Sequence, residues 1–228
     1  MINPVAASWD REYAAGRYSS EQPVPFINDI LAAARTLGLR DGIYIGCGNG
    51  RNYLPLVAGG LDLLGVDISS VAIQQLRQRC PERTDRLVCG DVGSLPVGAV
   101  YGVVLGIQVF QHGDRDQAHE LIRAAQARVA IGGLMAVRVN AVGTNIALAH
   151  QLVESFPDGG FTVQYREGPK EGLPIHFYAR SELEAFFRGD FDIVFAPRLV
   201  ATQRRPPETG QWSQWEGIWR RHRGFRKA

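Results

Sequence analysis

The chain has 228 residues, 45 % of them apolar and 21 % charged, with a formal net charge of +2. That length suits one α/β domain with a substantial core, and the near-neutral balance points neither toward nor away from a nucleic-acid partner. No apolar run reaches the roughly eighteen residues of a membrane span, and the three cysteines (Cys47, Cys80, Cys89) form neither a paired framework nor a C-x-x-C zinc pattern, so neither a membrane helix nor a structural metal is expected.

In chain order, residues 1–25 are rich in aromatic and small side chains. Trp9, Tyr13 and the pair Ala14-Ala15 suit a short helix docking by one face. The opening Met1-Ile2-Asn3-Pro4-Val5 has no basic or apolar leader region, so no secretory signal and a cytoplasmic location are expected. Phe26, Ile27, Ile30, Leu31, Ala34 and Leu37 repeat with helical period, and Gly38 follows as the expected stop. A short apolar strand then runs into Gly46-Cys47-Gly48-Asn49-Gly50, with a helix expected from Arg51 to Ala58. Glycine removes the Cβ atoms that would block a tight strand-to-helix turn, and the bare backbone can lie against a ligand.

The second strand, Leu61–Asp67, ends in a carboxylate placed to accept hydrogen bonds from two ribose hydroxyls, and Ser69 or Ser70 can cap the next helix. The third strand, Arg86–Val92, ends near Asp91, which reads equally as a turn aspartate before Gly93-Ser94. Val100–Ile107 is apolar nearly throughout, as a parallel strand buried on both faces would be. Asp114 and Gln117 form a variant capping box for a helix carrying Leu121, Ile122, Ala125 and Val129 inward, with Gly132-Gly133 as its stop. Leu134–Asn140 is the fifth strand.

Strand–helix alternation with short joins predicts a parallel sheet covered on both faces. Ligands of such sheets sit at the carboxyl ends of the strands. The rhythm breaks at 141–180, where a helix is expected over Ile146–Phe156, followed by a hairpin insertion from Phe161–Tyr165 and Ile175–Tyr178. Ser181 and Glu184 suggest another capping box. A long strand is expected over Phe191–Gln203, and the architecture asks for an antiparallel strand through Trp212, Trp215 and Trp219, although their spacing is also helical. The basic tail Arg220–Lys227 reads as a solvated end.

The glycine turn misses the dinucleotide fingerprint, because Arg51 occupies the place of the third glycine of G-x-G-x-x-G. Its G-x-G-x-G spacing after Ile45 resembles motif I of the class I S-adenosylmethionine (SAM)-dependent methyltransferases, small-molecule type. Tyr44 stands where that family usually carries the acid that helps hold the methionine amino group. The resemblance covers roughly residues 9–219. It implies a Rossmann-like, seven-stranded, mostly parallel α/β sheet with the last strand antiparallel and a hairpin insertion after strand five. It further implies that residues 1–25 form a lid, with a helix whose aromatics only cover the sheet edge as the alternative, 26–228 the methyltransferase domain and 141–180 a cap over the substrate.

SAM is the cofactor so implied, with Tyr18, Gly46, Cys47, Gly48, Asn49, Gly50, Asn52, Asp67, Ile68, Asp91, Val92 and Ile107 as its contacts. His112, His176 and Tyr178 are candidate bases for acceptors that need one, and Arg138 could hold an acidic substrate or pair with a carboxylate. A small-molecule acceptor is expected rather than nucleic acid, since no N-P-P-Y tetrad follows strand four, and no metal-ligand cluster suggests magnesium-dependent chemistry. A SAM- or nucleoside-binding protein without transfer activity is the alternative, motivated by Tyr44. An RNA methyltransferase and an NAD-dependent oxidoreductase rank behind it.

Overall fold

A computed structural model describes residues 4–204 and 209–222. Helix α1 (Pro4–Ala14) is followed by α2 (Phe26–Thr36), β1 (Asp41–Ile45), α3 (Tyr53–Ala58), β2 (Asp62–Asp67), α4 (Ser70–Arg79) and β3 (Leu87–Cys89). Then come β4 (Tyr101–Ile107), α5 (Arg115–Ala127), β5 (Val129–Asn140), β6 (His150–Ser155), β7 (Phe161–Tyr165), β8 (Pro174–Phe177), α6 (Arg180–Ala185), β9 (Phe191–Gln203) and β10 (Gln211–Arg221).

The main sheet has the order β3-β2-β1-β4-β5-β10-β9. β1 pairs in parallel with both β2 and β4, β2 with β3 and β4 with β5, whereas β10 lies antiparallel to β5 and β9. Strand order therefore reverses between β1 and β4, and the crevice at that switch opens at the strands' carboxyl ends.

The sheet is apolar on both faces because its strands alternate two sets of core residues. Tyr44, Leu63, Leu105 and Ala136 pack with Phe26, Ile30, Leu56 and Leu76 from α2, α3 and α4. Ile43, Ile45, Val104 and Met135 pack on the other side with Ile122, Leu183 and Trp219. Ser69 caps α4 by accepting from the Ala72 amide at 3.1 Å, and Asp114 and Gln117 form the reciprocal box that starts α5. Gly38 has a φ of +65° and its N–H donates to Arg35 while that of Leu39 donates to Ala34, closing α2.

Four expectations are corrected. Residues 146–156 contain no helix: β6 pairs antiparallel with β7, which pairs with β8 in a separate three-stranded sheet. Pairing with a distant strand overrides the local preference there. The third strand is only Leu87–Cys89, and Asp91 instead caps a 3₁₀ turn over Val92–Ser94. Gly132 and Gly133 do not stop α5; they lie inside β5 at a register shift, where a Cβ on Gly133 would sit 2.7 Å from the Gly102 carbonyl oxygen, and Val129 opens the strand. At α6, Glu182 rather than Glu184 reaches back, accepting the Ala179 amide at 3.3 Å. The tryptophan-rich closing segment is strand β10. Within the basic tail, Arg220 donates to the Gly132 carbonyl; residues 223–228, like 205–208, lie outside the described residues.

Candidate active site

A cavity of about 800 Å³ opens at the switch point, within the range of small-ligand sites. Its floor is the glycine turn. Gly46 and Gly48 have φ of +73° and +56°, conformations that side chains disfavour. A Cβ on Gly46 would stand 2.9 Å from Val109, and one on Gly48 would run into the Tyr13 hydroxyl. Gly50 does not line the cavity; a Cβ there would strike Leu76 and Leu54, so its role is to pack the turn. α3 begins at Tyr53, later than expected, so the turn rather than a helix end faces the cavity.

Asp67, at the end of β2, is the buried carboxylate of this floor. Its Oδ2 accepts the Gly48 amide at 2.7 Å and its Oδ1 the Ser69 amide at 2.8 Å. A carboxylate offers about four acceptor positions, so two remain for ligand hydroxyls. Burial outweighs the two N–H bonds and raises its pKa above the ordinary 3.8. Asp91 sits exposed at the rim, with Oδ1 engaged by the Ser94 amide and hydroxyl at 3.1 and 3.2 Å. Cys47, Asn49, Ile68, Val92 and Ile107 complete the lining near the turn. Asn52 is a brace: Nδ2 donates to the Tyr44 hydroxyl at 3.2 Å and Oδ1 accepts the Val24 amide at 3.0 Å. Tyr44 thus replaces an acid with a buried neutral hydroxyl that is already engaged.

The roof comes from α1 and the loop after β7. Lys170 pairs with buried Glu12 and stands 3.1 Å from the centroid of the Trp9 ring. Ser8 donates to the Pro169 carbonyl at 2.6 Å, and Tyr18 to Glu12 at 3.1 Å. Asp10 ties the same helix to the start of α4, accepting from Ser69 Oγ at 2.6 Å and the Val71 amide at 3.1 Å.

Of the three candidate bases, the structure brings only His112 to the cavity. His176, a residue of β8 in the three-stranded sheet, is fully buried, its Nδ1 3.0 Å from Thr162 Oγ1 and its Nε2 3.1 Å from Glu182. Tyr178 is also fully buried and donates to the Phe110 carbonyl at 2.7 Å. Neither lines the cavity, so neither can act as a base there. Their part is to hold the segment carrying His112: the His176 amide donates to the Gln111 carbonyl at 2.8 Å, and His112 bridges Ile175. Arg138 is likewise committed, 2.9 Å from Glu216 in a buried pair. Residues that sequence reading missed include Glu12, Gln111, Asn140, Tyr165, Lys170 and Trp212, all lining the cavity. Asn140 had a signal, as the last residue of a central strand; the others had none that one chain displays.

A Rossmann-like sheet with a bare backbone cradle and a carboxylate beyond the second strand defines a nucleoside-cofactor fold. The family described as Methyltransferase domain matches residues 43–133, which span that cradle and the strands on either side. Over those residues the chain is thus similar to a methyltransferase domain.

Solved structures agree in fold. The CcbJ methyltransferase of Streptomyces caelestis superposes with a TM-score of 0.64 at 17 % identity, over 96 % of this chain and 99 % of that one. The 1,6-didemethyltoxoflavin-N1-methyltransferase of Burkholderia thailandensis gives 0.63 at 18 %, over 97 % and 91 %. CalS10 of Micromonospora echinaspora, an amino pentose methyltransferase, gives 0.56 at 16 %, over 90 % and 95 %. No curated protein matches the sequence.

Proposed function

We propose that the protein methylates a small molecule enclosed between the glycine turn and the roof formed by α1 and residues 166–173. The observation that carries this reading is one continuous cavity, running from Gly46, Gly48 and Asp67 to a polar wall at the ends of β4 and β5. The floor fits the nucleoside: substituting either glycine would fill the cradle, and Asp67 keeps free acceptor positions beside it. Gly48 and Asn49 would face the methionyl chain, Asp67 the ribose, and Asp91 with Val92 the adenine. When bound, SAM supplies a methyl group already activated on a sulfonium. The remaining work for this chain is to align the acceptor and exclude water.

Two of the similar structures are by name methyltransferases of a didemethyltoxoflavin and of an amino pentose, which supports a small acceptor here. The roof supports it too, since the Glu12–Lys170 pair joins its two parts, α1 and the loop after β7, over the cavity they both line. We read α1 as a lid and the β6–β8 sheet as a cap. Lys170→Ala leaves Glu12 with only Arg17 and Tyr18 as partners. We expect hydrogen exchange in residues 4–14 to accelerate at least tenfold and acceptor KM to rise, with little change in melting temperature, because α1 undocks locally. Unchanged exchange in α1 would remove the lid assignment.

Calorimetric titration tests the reading as a whole. S-adenosylhomocysteine is expected to bind at one site per chain and NADH not to bind. NADH binding in preference to S-adenosylhomocysteine would overturn the proposal.

A further inference from the structure

The wall facing the cofactor floor carries polar atoms that bond to nothing. Gln111 Oε1, His112 Nε2, Asn140 Oδ1 and Trp212 Nε1 are each closed off from solvent and have no partner, and all four residues line the cavity. Leaving one buried polar group unpaired costs about 1–3 kcal/mol, and such groups are rare in native proteins. Four on one wall mark a surface made to be completed by a ligand.

Topology explains their convergence. Gln111 and His112 follow β4, Asn140 closes the adjacent β5, and Trp212 is the second residue of β10, in which Gln214 pairs with Asn140. The basic groups around them are committed: Arg138 to Glu216, Lys170 to Glu12, and Arg204 to the Asn145 carbonyl and the face of Trp212. Trp9, Tyr165 and Trp212 add flat apolar surface.

Resting on the methyltransferase reading above, we propose that the acceptor is an uncharged flat ring presenting a weakly acidic O–H or ring N–H, and that His112 Nε2 receives its proton. In that step the acceptor oxygen or nitrogen forms a bond to the methyl carbon as the carbon–sulfur bond breaks. The sulfur keeps the electron pair, and the acceptor's proton moves to Nε2 and later to water. One positive charge is present before and after, moved from sulfonium to imidazolium, so the enclosed site gains no net charge.

His112 is held in the proton-accepting form, although its burial also weakens it as a base. Burial, helped by Lys170, lowers its pKa to about 4, with a backbone contact at Gln108 acting the other way. It is therefore neutral at physiological pH. The groups facing it are the Trp9 ring of α1, edge-on at 5.3 Å, Lys170 with Glu12 behind it, and the Ile175 backbone of β8. Protonation near pH 4 would remove the acceptor lone pair, and the neutral ring is the form present above it.

The test loads the protein with S-adenosylhomocysteine and titrates it with 7-hydroxycoumarin, benzimidazole and benzylamine, as O–H, ring N–H and aliphatic-amine probes. At least one ring probe is expected to bind, shifting the ¹⁵N resonance of His112 Nε2, and benzylamine to bind at least tenfold more weakly. With SAM and a bound ring probe, His112→Gln is expected to lower kcat about 10²–10⁴-fold. S-adenosylhomocysteine affinity should hold within about threefold, and the residual rate should climb with pH as the probe ionises unaided. Trp212→Phe, which keeps the ring and loses the N–H, should raise KM about tenfold with little effect on kcat. Preference for benzylamine, failure of both ring probes to bind, or an unchanged kcat and pH profile in His112→Gln overturns the proposal. Retained S-adenosylhomocysteine binding in those cases leaves the methyltransferase reading standing; its loss in the unmodified protein sinks both.

Discussion

Replacing Glu182 by alanine is expected to lower the melting temperature by roughly 6–15 °C, a loss of about 3–4 kcal/mol. The side chain is almost completely buried and gathers three donors: Arg115 Nε at 2.7 Å, His119 Nε2 at 2.6 Å and His176 Nε2 at 3.1 Å. These come from α5 and β8, and Arg115 also reaches Asp158 at 2.5 Å in the β6–β7 turn. Glu182 therefore fastens the small sheet to the large one. Alanine would leave a guanidinium and two imidazoles without their shared acceptor, which is why the cost exceeds that of a surface ion pair.

Burial alone would raise the carboxyl pKa of Glu182, but the bonds from His119, His176 and Arg115 outweigh it and hold the group well below the usual glutamate range. A depressed pKa means that the contribution is fully present above the ordinary value of 4.5 and is lost as pH falls through the folded-state value beneath it. Denaturant titrations of the two proteins should therefore differ most at neutral pH and converge in strong acid. A change in melting temperature under about 2 °C would mean that these donors find other partners.

The second large effect belongs to Asp67. Alanine at this position is expected to weaken S-adenosylhomocysteine by about 1–3 kcal/mol, roughly 5- to 150-fold, measured by calorimetry. The substitution removes the acceptor positions that the two amides leave open and also frees the Gly48 and Ser69 amides that the carboxylate organises. A pH dependence accompanies it. The charged form does the accepting, so affinity is held above the folded pKa and lost as pH falls through it. Because burial raises that pKa above 3.8, the unmodified protein should lose cofactor at a milder acidity than an exposed aspartate would allow. Equal affinity for variant and parent would separate Asp67 from the cofactor.

The parts of this molecule written in local chemistry were readable from the chain. The glycine turn, the terminal carboxylate of β2 and the apolar runs of β1, β4 and β5 declare themselves because backbone geometry and two-sided burial constrain residue type directly. The segment 146–156 did not. Its fold is decided by hydrogen bonds to β7, and Leu152 and Val153 remain exposed, so no periodicity marks the strand. His176 and Tyr178 have the residue types of catalysts, but only the packing of β8 beneath Glu182 shows that they face inward. Gln111, Asn140 and Trp212 were invisible for the opposite reason: they carry no titratable group, and their significance lies in partners they lack.

Under the proposed function, the β6–β8 sheet makes the acceptor-facing wall a cassette. It joins the main sheet at Tyr178, just after β8, whose amide donates to the Asn140 carbonyl of β5, and among the described residues β8 carries the backbone contacts that fix Gln111 and His112. Sequence change between β6 and the start of β8, including Tyr165 and Lys170, can reshape what fits above the floor while proton handling stays in register. Retargeting by exchange of residues 146–173 thus has a natural seam, just before Pro174.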